Sequence, residues 1–209
     1  MTTRRAQCPT CLRAASACIC HWIRPIESRA ALLVLQHPME TANAKNSARL
    51  LHLCLPGSTL AIGETFEDME GLLAGPRQPV LLYPETPGDR SLGIAPPPPF
   101  GGAAPEQVLL VVLDATWRKS RKMLYLNPAL QALPRLALRD VPASHYLIRK
   151  AHAPGQLSTL EAAAYALARL EGDDSRFAPL LDAFDGFVGQ QQALAAAHRP
   201  GRSTDQPIS

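Results

Sequence analysis

No stretch of the chain approaches the ~20 consecutive apolar residues of a membrane span. That argues against a helical membrane protein. The segment from Met1 to Cys8 carries two arginines but no apolar run behind them, so it does not read as a secretory signal. A strong charge of either sign is lacking too: 21 Lys and Arg stand against 18 Asp and Glu, a formal +3. So mild an excess says little about a nucleic-acid partner, and any case for RNA must come from local clustering. Cysteine is sparse, with five residues and none after Cys54. Without a secretory signal, these thiols fit a reducing, cytoplasmic setting better than a disulfide framework. No internal repeat is visible.

What is present is a globular composition. Apolar residues make up 46% and charged residues 19% of 209. A chain of this length buries a real core without disulfides. It fits one domain of ordinary to large size with a small appendage. The 20 prolines, roughly twice the ordinary ~5%, suit many strand ends and rigid loops.

The hydrophobic pattern divides the chain into a cysteine-bearing arm over 1–25, an α/β domain over 26–198 and a disordered tail over 199–209. Continuous apolar runs predict strands over 30–36, 58–62, 79–83 and 108–113, with a short one near 136–138. Helices are expected over 43–53, with Asn43 as cap, and over 66–73, 116–126, 158–170 and 177–197. The Pro- and Gly-rich stretch 84–106 reads as a loop. Apolar strands alternating with helices argue for an α/β fold, a mainly parallel sheet with helices on both faces.

Cys8, Cys11, Cys18 and Cys20 read C-x2-C-x6-C-x-C. Zinc takes four soft ligands in a tetrahedron, and a C-x2-C pair chelates with little chain distortion. The short gap folds both pairs around one ion. Four thiolates leave no open coordination position, so the expected zinc is structural. Bound as thiolates with Zn2+, the cluster brings the net charge to about +1. A redox pair and chance clustering are the bland alternatives. Cys54 reads as a buried hydrophobe.

A second constellation, Leu113-Asp114-Ala115-Thr116-Trp117-Arg118-Lys119, lies where a buried strand meets a helix. Open parallel sheets bind ligands beyond the carboxyl ends of their strands. There Asp114 can accept a ribose hydroxyl or a substrate N–H, although Asp114 or Thr116 can equally be a helix cap. The first strand runs into Gln36-His37-Pro38-Met39-Glu40 and the third into Tyr83-Pro84-Glu85. In a parallel sheet these turns gather at one edge with Asp114, as a site requires. Taken alone, His37 reads as a structural histidine and Tyr83 as a core ring.

Arg118, Lys119, Arg121 and Lys122 form a basic run. Trp117, Ser120 and Leu124 lie on what reads as its core side. Such a run is ordinarily a solvated face, but beside a site it suits phosphates. Arg4, Arg5 and Arg13 on the arm extend that surface. Farther on, Arg149-Lys150 precede a capping box, Ser158-x-x-Glu161. A capped helix start also offers N–H groups to a carboxylate.

At Asp114-Ala115-Thr116-Trp117 the chain resembles the DTW-domain family. The cysteine cluster, His37-Pro38-x-Glu40, Arg49-Leu50-Leu51, Leu82-Tyr83-Pro84 and Ser158-Thr159-Leu160-Glu161-Ala162 resemble further segments of that family, in order. Together they span about residues 8–165. Ser47-Ala48 departs from the Thr-Gly or similar pair expected before the R-L-L element.

The resemblance implies a tRNA-uridine aminocarboxypropyltransferase using S-adenosylmethionine on a variable-loop uridine. It also implies a SPOUT-like fold whose C-terminal part can be knotted. On that reading Asp114, Thr116 and Trp117 are catalytic. His37, Pro38, Glu40, Tyr83, Pro84, Leu113, Ser158, Thr159 and Glu161 bind the cofactor. Arg49, Arg118, Lys119, Arg121, Lys122 and Arg149 meet the tRNA. Competing readings are a SPOUT-like RNA methyltransferase and a non-enzymatic zinc module that binds RNA or protein.

Overall fold

The computed structural model describes residues 6–84, 95–139 and 157–197. Arg4, Arg5, Glu85, Arg149, Lys150 and the 199–209 tail lie outside the described residues, as does the 140–156 connection on which a knot would depend.

Strands β1 (Ala31–Gln36), β2 (Thr59–Ile62), β3 (Gln78–Leu82), β4 (Val108–Asp114) and β5 (Arg135–Leu136) form one sheet. Their order is β2-β1-β4-β3-β5 and every pairing is parallel. The two central strands are the two strongest apolar runs. Because side chains alternate along a strand, each run feeds two cores. Leu32, Val34, Leu110 and Val112 pack with helices α1 (Ala48–Cys54), α5 (Thr159–Glu171) and α6 (Asp174–Ala197). Leu33, Leu35 and Val111 pack with α2 (Met69–Leu73), α3 (Trp117–Leu126) and α4 (Pro128–Gln131). Helices therefore cover both faces, as continuous rather than alternating hydrophobicity requires.

The chain leaves β1 toward β2 on one side of the sheet and leaves β4 toward β5 on the other. The carboxyl ends of β1 and β4 thus flank the switch point, the place where α/β sheets commonly bind ligands. Gln36 and Asp114 are register partners there.

Several boundaries differ from the sequence reading. The first helix starts at Ala48 and not at Asn43. Asn43 Oδ1 accepts the Lys45 N–H and Asn46 Oδ1 accepts that of Ala48. Such local bonds compete with helix and hold 43–46 as a turn. Helix α2 starts at Met69 because Asp68 caps it through the Gly71 N–H. The last helix begins three residues early, at Asp174, and tolerates Pro179. Strand β5 is only Arg135–Leu136, and the short α4 was not anticipated. Trp117, expected on the core side, is 50% exposed. It stands at the first position of α3, beyond the sheet edge, and burial begins one turn later with Ser120, Met123 and Leu124.

The cysteine segment is packed into the domain. Cys11 and Ile19 belong to the core shared with α1, α5 and α6. The Trp22 indole N–H donates to Gln190 Oε1, and Gln190 Nε2 donates to the Cys18 carbonyl. The Trp22 ring lies against Gly186 of α6, where an added Cβ would overlap it. Helix propensity alone favours Gly186→Ala by about 1 kcal/mol. The overlap reverses that sign, and a net loss of about 1–3 kcal/mol is expected in urea unfolding. A gain in stability would show that Trp22 is not seated there.

Candidate functional site

The carboxylate of Asp114 is the meeting point of the sheet edge. It is 4% exposed. One oxygen, Oδ2, accepts from Gln36 Nε2 at 2.8 Å and Asn46 Nδ2 at 2.5 Å. The other, Oδ1, accepts from Thr159 Oγ1 at 2.7 Å. Gln36 Nε2 also reaches Asn46 Oδ1 at 3.1 Å. The end of β1, the 43–46 turn, the end of β4 and the start of α5 are thereby tied to one group. An ionised carboxylate offers about four lone-pair directions, so among the described residues about one remains.

The turn after β1 is a second polar network. The His37 N–H donates to the Asp114 carbonyl at 3.0 Å. His37 Nδ1 accepts the Met39 N–H, so Nε2 carries the ring hydrogen and donates it to Glu64 Oε1 at 3.0 Å. Glu64 Oε2 accepts from Lys122 Nζ at 2.9 Å. Lys122 and then His37 hold the Glu64 carboxyl below its ordinary range. Glu40 is buried, and its Oε1 pairs with Lys119 Nζ at 2.8 Å. Its Oε2 accepts from Asn43 Nδ2. Pro38 occupies the 3-10 turn between them, where its fixed φ suits the first helical position.

Across the crevice Tyr83 is buried, with its hydroxyl 3.3 Å from Ser120 Oγ. Trp117 stands edge-on to it, centroids 5.8 Å apart at 70°. The histidine and tyrosine turns thus share one rim with Asp114 and Trp117. Pro84 follows on the exposed side, and Leu113 packs half-buried against the α3 face. Thr116 caps α3, its Oγ1 accepting the Lys119 N–H. Ser158 and Glu161 form the reciprocal capping box of α5. That box engages the Ser158 and Glu161 N–H groups, and Ser47 Oγ takes that of Leu160.

The basic run divides in two. Lys119 and Lys122 turn toward Glu40 and Glu64, Lys122 while staying exposed; Arg118 and Arg121 are exposed too. Arg49 points away from the rim, its Nη2 donating to the Thr10 carbonyl in the cysteine turn. Sequence reasoning missed Asn46 and Glu64 and gave Gln36 no role. The polar run Thr41 to Ser47, too polar to begin a buried helix, was the available signal for Asn46. Nothing local marks Glu64, which follows an edge strand.

The four sulfurs lie within 4.8 Å of one another. Cys8 and Cys20 are 3.5 Å apart, Cys11 and Cys18 3.8 Å. A disulfide needs about 2.05 Å, and all are free thiols. Zn–S bonds of about 2.3 Å in a tetrahedron place sulfurs about 3.8 Å apart, so the set fits the ion. Backbone N–H groups of Cys11 and Thr10 point at Cys8 and lower its thiol to about 6. Burial and the neighbouring sulfurs push Cys20 up to about 12. Four thiolates this close need a cation to coexist.

A family model for the DTW domain matches residues 5–192. The chain belongs to the DTW domain family. Among curated relatives, a tRNA-uridine aminocarboxypropyltransferase 2 of Drosophila melanogaster is 33% identical, over 80% of this chain and 68% of its own length. Proteins of the same name from Mus musculus and Macaca fascicularis are 28% and 27% identical, over 80% of this chain. The chain spans 57% of the length of those two relatives. No solved structure matches. Among the described residues no helix is long and apolar enough to cross a membrane.

In this DTW-domain protein the cysteine cluster is expected to bind one zinc per chain. Cys20→Ser should abolish that stoichiometry in metal analysis and lower the melting temperature. Cys54→Ser, away from the cluster, should keep the metal. Full metal retention by the Cys20 variant would remove it from the ligand set.

Proposed function

We propose that this protein is a tRNA-uridine aminocarboxypropyltransferase. It would transfer the 3-amino-3-carboxypropyl group of S-adenosylmethionine to N3 of a tRNA variable-loop uridine and release methylthioadenosine. The observation that carries the reading is the convergence of four segments on Asp114 at the switch point, in a chain with the D-x-T-W motif. The names of its relatives support it.

The reaction joins uracil N3 to the carbon bonded to sulfur, while the C–S bond breaks and the sulfonium becomes a neutral thioether. The N3 proton must leave. Asp114 is our candidate acceptor, because its remaining lone-pair direction admits one more donor and its other bonds hold it still. Charge is lost along the path, so placement matters more than strong acid catalysis.

The half-exposed Trp117, braced by Tyr83, is a face on which a uracil turned out of its stack can lie. The donor's nucleoside would sit along His37, Pro38, Glu40, Tyr83, Pro84 and Leu113. Its amino-acid carboxylate would meet the start of α5 at Ser158-Thr159. Among the described residues the Thr159 N–H there has no protein acceptor. Arg118 and Arg121, with Arg149, would meet tRNA phosphates, while Lys119 and Lys122 hold the rim's own carboxylates. Zinc would be structural, held by the four cysteines.

Incubation of the protein with unmodified tRNA and S-adenosylmethionine, followed by mass analysis of nucleosides, tests the reaction. An aminocarboxypropyl uridine is expected. A methyl gain would instead assign methyl transfer, and no calorimetric binding of S-adenosylmethionine would leave a zinc adaptor. Asp114→Asn should lower transfer at least about a hundredfold while donor affinity stays within a few fold. Unchanged turnover would remove Asp114 from the acceptor role. Arg118→Glu with Arg121→Glu should weaken tRNA binding and flatten its salt dependence. An unaltered salt slope would place the RNA surface elsewhere.

A further inference from the structure

We propose that Arg13, within the cysteine turn, is a positioning residue for the reaction. It holds the 43–46 turn in the place from which Asn46 grips Asp114. The cysteine site and the reacting carboxylate then form one connected unit. This inference rests on the reading of Asp114 as the reacting group.

The connection is continuous in the structure. The Cys8 N–H donates to the Arg13 carbonyl at 2.8 Å, and the Leu12 N–H donates to the Cys8 carbonyl at 2.9 Å. Arg13 therefore leaves the cysteine turn from a backbone fixed beside two sulfur ligands. Its guanidinium is half-buried and committed to backbone carbonyls. Nη1 donates to the Ala44 carbonyl and Nη2 to the Asn46 carbonyl, both at 2.6 Å. The guanidinium also lies over the Phe187 ring of α6, 4.9 Å from its centroid. A planar fork with fixed N–H directions sets the spacing of two carbonyls in a way that a flexible ammonium does not.

Asn46 passes that placement on. Its backbone is held by Arg13, and its side chain is committed on both atoms. Oδ1 accepts from Gln36 and from the Ala48 N–H, and Nδ2 donates to Asp114 Oδ2. The residue is buried, so water cannot substitute for a lost partner. A shift of the turn by about 1 Å breaks the bond to Asp114, and misplacement on that scale is worth about a hundredfold in rate. Arg49 grips the same cysteine turn from α1, through the Thr10 carbonyl. The turn is thus clamped to the segment on either side of Ser47 as well as packed on α6. A cation holding Cys11 and Cys18 would fix both ends of the segment from which Arg13 projects.

The test uses the full-length, metal-loaded protein with unmodified tRNA and S-adenosylmethionine. Arg13→Ala should keep its zinc stoichiometry and its KM for both substrates within about twofold, while kcat falls about ten- to a hundredfold. Arg13→Lys, which keeps the charge and some donors but not the fork, should recover part of that loss. Hydrogen exchange at the 43–48 amides should quicken in Arg13→Ala and not in Arg24→Ala. Arg24 bonds the carbonyls of His21 and Ile23 and does not touch the turn. Full kcat in a folded Arg13→Ala protein would overturn the proposal. If that variant fails to fold, Arg13→Gln, which reaches at most one carbonyl, decides in its place. Failure of both to fold would assign Arg13 to stability alone. If the wild-type protein transfers nothing, the reading of the reaction fails. The exchange measurement then still decides whether Arg13 holds the turn, and unchanged protection in Arg13→Ala would overturn that hold.

Discussion

A carboxylate buried at the carboxyl edge of a sheet is costly unless donors surround it. Asp114 is in that position, and its donors come from three other segments. Gln36 ends β1, Asn46 belongs to the turn before α1, and Thr159 opens α5. Each segment reaches the carboxylate only if its own element is in place. The site is therefore a readout of the whole fold. A displacement of β1, α1 or α5 withdraws a donor from the same group.

The rim around Asp114 repeats this logic with charges. Lys119 and Lys122 belong to a basic run that reads as an RNA surface, yet both are turned toward carboxylates of the β1 and β2 ends. The Glu40–Lys119 pair joins a buried carboxylate, which also accepts from Asn43, to a partly exposed ammonium. The pairs fix α3 against the histidine turn and so fix Trp117, which starts α3. The exposed cations of the helix are Arg118, Arg121 and Lys122, the last of them paired with Glu64. A weakly basic chain thus presents a positive face beside an exposed aromatic ring.

The cysteine segment is part of the same construction. Cys11 and Ile19 are core residues, Trp22 occupies the space left by Gly186, and the Arg13 and Arg49 guanidiniums face each other's segments across the interface. Its polar bonds to the domain run from Arg13 to the Ala44 and Asn46 carbonyls, from Arg49 to the Thr10 carbonyl, and through Gln190 of α6 to Trp22 and Cys18. Zinc bound there would stabilise the surface on which the site's second turn rests, and not only the loop that contains it.

Much of this protein is legible in its residues. Continuous apolar runs at 30–36 and 108–113 mark strands buried on both faces, because a strand exposed on one face would alternate. Cys8 to Cys20, the Ser158–Glu161 box and the cap at Thr116 are local patterns whose physics is local, and each stands where it was expected. The His37 and Tyr83 turns beside Asp114 follow from parallel strands alone, since parallel chains put all their carboxyl ends on one edge. Tertiary structure decided the rest. Asn46 became a ligand of Asp114 because a buried carboxylate recruits whichever amide the packing brings near. Glu64 joined His37 and Lys122 because β2 lies beside β1. Trp117 faces outward because α3 begins beyond the sheet, a matter of where the helix docks and not of its hydrophobic pattern. Arg13 and Arg49 look like surface charges in the sequence. Only the seating of the cysteine turn on α1 and α6 turns them into clamps, because a guanidinium's partner is set by proximity in space and not by neighbours in the chain.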